Sequence, residues 1–361
     1  MPEVTSKMKS HSKLNQLIIP LVALLILIVV NLIADPSFFR ITMEIDKAGS
    51  PILHGNLISI LDNGSELAIL AIGMTLVTAA TGGQDISVGA AVAIAGSAAM
   101  RLLCGAEGAS TPQCSLIVAF IIALVSALLC GAFNGALVAF FKIPPMIATL
   151  ILYTAGRSIA SWINNCRNLS LYDDTLNAIG THIPGIPIPT PIFIAIICFI
   201  LIALVLKFTA LGTYIQAVGI NEKSSRLNGI NPIVIKFVSF IILGVCVAVV
   251  GFVKISRSGT IAYAAVAKDI EMDAILAVAL GGNVLGGGKF SLMGSVIGAY
   301  TIQALTTTLY AMNVSADQLP VYKAIVVIII VTLQSPVFQK FIANQKAKRA
   351  VSKTAVGGGN Q

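Results

Sequence analysis

Long apolar runs alternate with short polar breaks along nearly the whole chain, and that alternation predicts a set of membrane-length helices. Leu17 to Ala34 and Thr190 to Leu206 contain no charged residue, and each approaches the ~20 residues a helix needs to cross a hydrocarbon core. Such runs must be helical in lipid, because only a helix or a closed barrel satisfies every backbone amide and carbonyl without water. Reading runs against breaks gives ten spans, at about 17–34, 57–82, 86–104, 115–141, 146–164, 190–207, 234–254, 271–284, 290–311 and 319–337. The eighth is short for a crossing and runs into glycines, as a broken or tilted helix would. The first follows Lys7, Lys9 and Lys13, the charge order of a signal peptide. It is longer than a signal core and lacks a small-x-small cleavage site before Asp35 and Pro36, so it reads as a retained helix.

Composition agrees with the pattern. Of the 361 residues, 57% are hydrophobic and 11% charged, against roughly 25% charged in a soluble domain. The net charge of +8 taken alone would suggest nucleic acid, but its distribution follows topology instead. With the N-terminus inside, 14 of the 23 basic residues fall on the cytoplasmic side, against only Glu3, Asp85 and Glu222 of the 15 acidic ones. That is the positive-inside preference; it puts both termini in the cytoplasm and makes the number of spans even. Cytoplasmic tails are expected over 1–16 and 338–361, the second basic and close to anionic lipid headgroups, with one transmembrane domain over 17–337. The six cysteines show no CxxC or Cys/His spacing, which argues against zinc. Cys104 and Cys114 flank a polar segment placed outside the cytoplasm, where the residues leave open a disulfide or two free thiols. No catalytic constellation is legible.

Three glycine-rich segments carry more information. Gly73-Met74-Thr75-Leu76-Val77 leads into Gly82-Gly83-Gln84-Asp85-Ile86-Ser87-Val88-Gly89. Asp85 at this break reads two ways: with Gln84 as part of a path or gate, or as a tight turn whose carboxylate caps the third span through the amides near Ser87. Phe133-Asn134-Gly135-Ala136-Leu137-Val138 precedes Lys142-Ile143-Pro144-Pro145-Met146-Ile147-Ala148-Thr149-Leu150. Leu280-Gly281-Gly282-Asn283-Val284-Leu285-Gly286-Gly287-Gly288-Lys289 has the look of a phosphate cradle. It lacks the P-loop spacing, with Phe290 where Ser or Thr is required, and reads as a helix break. The run Ala68-Ile69-Leu70-Ala71 before Gly82-Gly83 is echoed by Ala274-Ile275-Leu276-Ala277 before Gly287-Gly288, through duplication or through low-complexity membrane sequence.

In this order the three segments resemble the signatures of the membrane subunits of ribose, xylose and galactofuranose ABC importers, over about Leu17 to Gln334. Gln84 stands where that family usually has Ile, and Met146 where it usually has Phe. The resemblance implies an all-α integral membrane protein of about ten transmembrane helices with a type II importer permease fold, multi-pass in the bacterial cytoplasmic (inner) membrane. It implies as partners a cytoplasmic ABC ATPase, a periplasmic or extracellular sugar-binding protein and a second permease subunit, identical or merely related. The cargo would be a sugar, no cofactor would be needed and the chain itself would not be an enzyme. A related permease for nucleosides or branched-chain amino acids is the near alternative. An ion-coupled secondary transporter is the distant one, and it would need paired intramembrane carboxylates, whereas Asp85 alone suits that role in the cytoplasmic half.

The longest cytoplasmic loop, 208–232, resembles the segment by which such permeases dock on their ATPase. There an Ala-x-Gly-x-Asn run precedes a short helix that Gly-Ile ends. Ala217, Gly219, Asn221, Gly229 and Ile230 match, Glu222 and Ser225 lie between, and Asn221 is expected as an N-cap. On this reading the segment contributes little to the core, so bulk at Gly219 should block docking without harming folding. Within or near the spans, Asn134, Trp162 and Gln303 join Gln84 and Asp85 as candidates for the translocation path. Trp162 would stack on a sugar face or anchor the interface, and helix–helix hydrogen bonding is the plainer role for the polar groups.

Overall fold

The computed structural model describes residues 21–33, 35–45, 51–105 and 111–334. The tails expected over 1–16 and 338–361 lie outside the described residues. The helices are α1 (Leu21–Ile33), α2 (Asn56–Thr81), α3 (Val88–Cys104), α4 (Leu116–Ala139), α5 (Pro145–Ile163), α6 (Asp174–Gly180) and α7 (Thr190–Phe208). They continue as α8 (Leu211–Ile220), α9 (Glu222–Leu227), α10 (Pro232–Ser258), α11 (Ile270–Leu280), α12 (Leu292–Ala311) and α13 (Leu319–Gln334). Each of the ten expected runs overlaps one of these helices. Among the described residues, α2, α4, α5, α7 and α10 are long and apolar enough to cross a membrane. The eighth run is α11, whose 11 residues reach only about 16 Å, half of a hydrocarbon core.

The chain is mostly helical, as expected, with two short antiparallel strand pairs beside the helices. Strands β1 (Thr42–Ile45) and β2 (Pro51–His54) pair antiparallel, with Thr42 opposite His54. Strands β3 (Leu169–Ser170) and β4 (Thr260–Ile261) pair Leu169 with Ile261. Segment 165–189 holds β3 and α6 and buries Leu171 and Leu176. Two-residue strands have no periodicity, so nothing in the sequence announces them.

The chain divides into two compact units, residues up to Thr308 and residues from Leu309 onward. At the centre of the first is α2, buried all round from Gly64 to Ala80. Its end is a left-handed Gly82 at φ 68°, whose amide bonds the Thr78 carbonyl as a C-cap that only glycine adopts freely. On α4 the small residues Ala119, Ala123, Ala127, Gly131 and Gly135 face inward at four-residue steps, while Ile117, Ile121, Val125, Leu129 and Phe133 are exposed. This inverts a soluble helix: lipid is as apolar as leucine, so helices associate where small residues let backbones approach. A Cβ at Gly131 would stand 2.6 Å from the Phe240 carbonyl oxygen of α10.

Where α2 meets α10, a buried ionic group joins them. Glu66 lies 2.6 Å from the Lys254 ammonium and 3.2 Å from the Arg257 guanidinium, and Asp62 lies 2.7 Å from Arg257. Two carboxylates thus meet two cations. In the second unit the chain leaves α12, turns through Asn313 at φ 59° and enters α13.

Candidate functional site

The break between α2 and α3 is the point on which the three glycine-rich segments converge. Gln84 and Asp85 are both buried. One carboxylate oxygen of Asp85 accepts from the Ser87 amide at 2.8 Å and the Ser87 hydroxyl at 2.6 Å. The other accepts from Asn134 Nδ2 of α4 at 3.1 Å, and the same Nδ2 also donates to the Ser87 hydroxyl at 2.8 Å. Two of the path candidates, far apart in sequence, are therefore hydrogen-bond partners. The turn geometry expected as the alternative to a gate is present, with Ser87 at the N-cap of α3. On α5, Thr149 Oγ1 accepts from the Ile86 amide at 3.2 Å. The Gln84 side chain donates to the Leu285 carbonyl at 3.3 Å, and the Gly288 amide to the Ala79 carbonyl at 2.9 Å. Non-helical backbone inside a membrane protein needs such partners, and each break here supplies them to the other.

Asn283 fixes the second break. Its Oδ1 accepts from the Ser291 amide at 2.6 Å while its Nδ2 donates to the Val278 carbonyl and to Ser295 Oγ at 2.7 Å. Ser295 in turn lies 2.5 Å from Thr75 Oγ1 of α2. Thr75, Thr149, Asn283 and Ser295 were not among the sequence candidates, although all four stand in or beside the glycine-rich segments.

We expect Asp85→Ala, which strands the buried Asn134 amide and the Ser87 hydroxyl and amide, to lose about 2–3 kcal/mol. Asp85→Asn, which still offers Ser87 an acceptor, should lose less. Thermal unfolding in detergent orders the two, and equal losses would mean the bonds to Ser87 contribute little.

Segment 208–232 is a pair of helices. Asn221 caps α9, its Oδ1 accepting from the Ser224 amide at 3.0 Å, as the spacing predicts. Glu222 bonds Lys236 of α10 at 2.6 Å, and that donated hydrogen bond holds its carboxyl below the usual glutamate range. Gly229 has φ 79° and open space around it, while Ser225 is buried and Ala217 half-buried. The expectation that this segment contributes little to the core is overturned. Ile215 and Val218 of α8 are buried with Leu76, Ala79 and Ala80 of α2. A Cβ at Gly219 would overlap the Ala79 carbonyl oxygen and crowd the Gly288 amide. Gly219 thus faces inward onto both breaks, because α8 needs a side without atoms to lie on the backbone turn there.

The remaining path candidates sit elsewhere. Trp162 is 79% exposed near the far end of α5, about 25 Å along the axis from Pro145. Gln303 of α12 is half-buried beside Gly64. Cys104 and Cys114 are free thiols.

Comparison with known proteins adds the following. A family model described as the branched-chain amino acid transport system permease component matches residues 56–333. The galactofuranose transporter permease protein YtfT of Escherichia coli is 36% identical over 92% of this chain and 93% of its own. The fructose import permease protein FruF of Bifidobacterium longum is 36% identical over 93% and 92%. The ribose import permease protein RbsC of Escherichia coli is 33% identical over 87% and 92%. No solved structure matches the chain significantly.

Proposed function

The chain belongs to this family of transport-system permease components, and from that premise we propose that it is the membrane subunit of an ATP-driven, binding-protein-dependent importer of a monosaccharide. The observation that carries the reading is similarity over nearly the full length to three permeases named for sugars. Galactofuranose and pentose-like sugars are the first cargoes to test. The chain is a transport subunit and leaves ATP hydrolysis to a cytoplasmic partner. An external sugar-binding protein delivers the cargo, and a second permease subunit, identical or related, completes the pathway. The topology that fits the charge distribution has about ten spans and both termini in the cytoplasm of the producing bacterium, with the chain in its inner membrane.

The geometry supplies a coupling route. α9 and the end of α8 form the ATPase contact, where Ile220 and Leu227 are exposed although no lipid-length run includes them. Exposed apolar side chains on a short polar helix suit the centre of a protein interface. Gly219 touches the Ala79 carbonyl and Gly288, so a displacement of α8 acts directly on both breaks. The first break holds Asp85 against Asn134 and Gln84 against the Leu285 carbonyl, the second is tied to Thr75 through Asn283 and Ser295, and their rearrangement is the inward gate. Thr154, Ser158 and Trp162 stand on the exposed face of α5, and this face is assigned to a path shared with the second subunit.

Reconstitution with partner ATPase and binding protein, offered a panel of monosaccharides, nucleosides and branched-chain amino acids, tests the assignment. ATP-dependent uptake of one monosaccharide is expected. Uptake of only an amino acid or nucleoside, or uptake driven by an ion gradient without ATP, would refute it. For the contact itself, Leu227→Asp, at a residue 89% exposed, should leave folding intact and lower recovery of the ATPase at least about tenfold, the loss of a 1.4 kcal/mol contact. Unchanged recovery and transport would place docking elsewhere.

A further inference from the structure

We propose that the cleft beside α9 binds the phosphate headgroup of an anionic phospholipid, making this face of the permease responsive to the charge of the surrounding leaflet. The cleft has a volume of about 640 Å³ and is lined by Lys142, Lys223, Arg226 and Lys236, with Glu222. Among the described residues Glu222 is the carboxylate lining it, and Lys236 already holds that group at 2.6 Å. Arg226 and Lys142 lie within electrostatic reach of the same carboxylate, so four cations share one acidic group around this space. Lys142 stands at the turn between α4 and α5, its backbone at φ 56°, in the left-handed region that is uncommon for a lysine.

The apolar part of the lining is Val138, Ile143, Pro144, Pro145 and Ile220. Its rim is the junction of three long helices: α4 ends at Ala139, α5 starts at Pro145 and α10 starts at Pro232. Phe140, Phe141, Met146 and Ile147, on the same two helix ends, are exposed. Cations and apolar residues lining one cleft, beside bare aromatic and aliphatic side chains at the ends of membrane-length helices, match a ligand with a charged phosphate and acyl chains. An acidic protein surface would answer the cations and leave the two phenylalanines uncovered. The lipid reading does not depend on which cargo the permease carries.

The test uses the full-length chain purified in detergent and supplied with equal amounts of phosphatidylglycerol and phosphatidylcholine, with retained lipid measured by native mass spectrometry. Both lipids carry a phosphodiester and only the first has net charge. Phosphatidylglycerol should be retained at least about tenfold over phosphatidylcholine, and lysine or arginine contributes at this level near a charged leaflet. The preference should fall with added salt and nearly vanish in Lys142→Gln/Arg226→Gln. Equal retention by the native chain overturns the proposal, as does an unchanged preference in a double variant whose circular dichroism is native. Complete displacement by inorganic phosphate would reassign the cleft to a free anion and overturn the lipid. If the double variant keeps the lipid preference and loses only the ATPase, the cations serve protein docking and the proposal fails. Should the double variant not fold, the headgroup and salt comparisons on the native chain decide by themselves.

Discussion

Gly219→Trp is expected to yield almost no folded protein, and Gly219→Ala to lower stability by about 2 kcal/mol, within the usual range for an overpacked site. The obstacle to any side chain there is backbone: the Ala79 carbonyl and the Gly288 amide. A flexible side chain would give way, whereas these two groups bond each other at 2.9 Å and close the two helix breaks together. Relief would require α8 to lift off α2, exposing Ile215 and Val218. Gly229→Ala is the control. It also replaces a glycine of the docking motif, but at φ 79° in open space, so it should cost only the ~1–2 kcal/mol of a left-handed backbone. Yield after size-exclusion chromatography and thermal unfolding in detergent measure all three. A Gly219→Trp chain as stable as the native one would mean that α8 does not lie on the breaks, and the coupling route through Ala79 and Gly288 would go with it.

Glu66→Ala should destabilise the first unit by about 3–5 kcal/mol, the usual result of removing one partner from a buried ionic group. The carboxylate is 2% exposed and contacts both Lys254 and Arg257. After its removal Asp62 still pairs with Arg257, while Lys254 loses the carboxylate it contacts directly. The double variant Glu66→Met/Lys254→Met should recover much of the loss, because a neutral pair of similar bulk carries no desolvation cost. Chemical or thermal unfolding of the two variants checks this. A loss under about 1 kcal/mol in Glu66→Ala, the level of an exposed pair, would show that the group is solvated. These paired carboxylates also bear on ion-coupled transport: two cations of the chain already neutralise them, so they need no transported ion.

The helices were legible in the sequence because a helix is a local structure and its apolar run is contiguous. Nine of the ten expected runs match helix bounds within a few residues wherever the chain is described, and the glycine-ended α11 was visible as the short one. Asn221 could be read as an N-cap because capping joins a side chain to an amide three residues on. The likeness of the glycine-rich segments to those of sugar importers was readable for the same reason: it consists of residues in order. What the sequence by itself determined was therefore membrane residence, helix placement and family.

The tertiary structure alone decided which of those residues meet. Asp85 and Asn134 were singled out separately, and only folding made them partners. Gly219 was read as outward because a polar, glycine-flanked segment outside the lipid has no pattern to mark a buried side, and packing turned it inward. Glu66 stands alone in its apolar run, and Lys254 and Arg257 at the end of theirs, until α2 and α10 lie side by side. The physical reason is common to all three. In lipid both faces of a helix are apolar, so hydrophobic periodicity identifies the helix but not its inner face, and that face is chosen by contacts between segments far apart in sequence, such as Gln84 and Leu285.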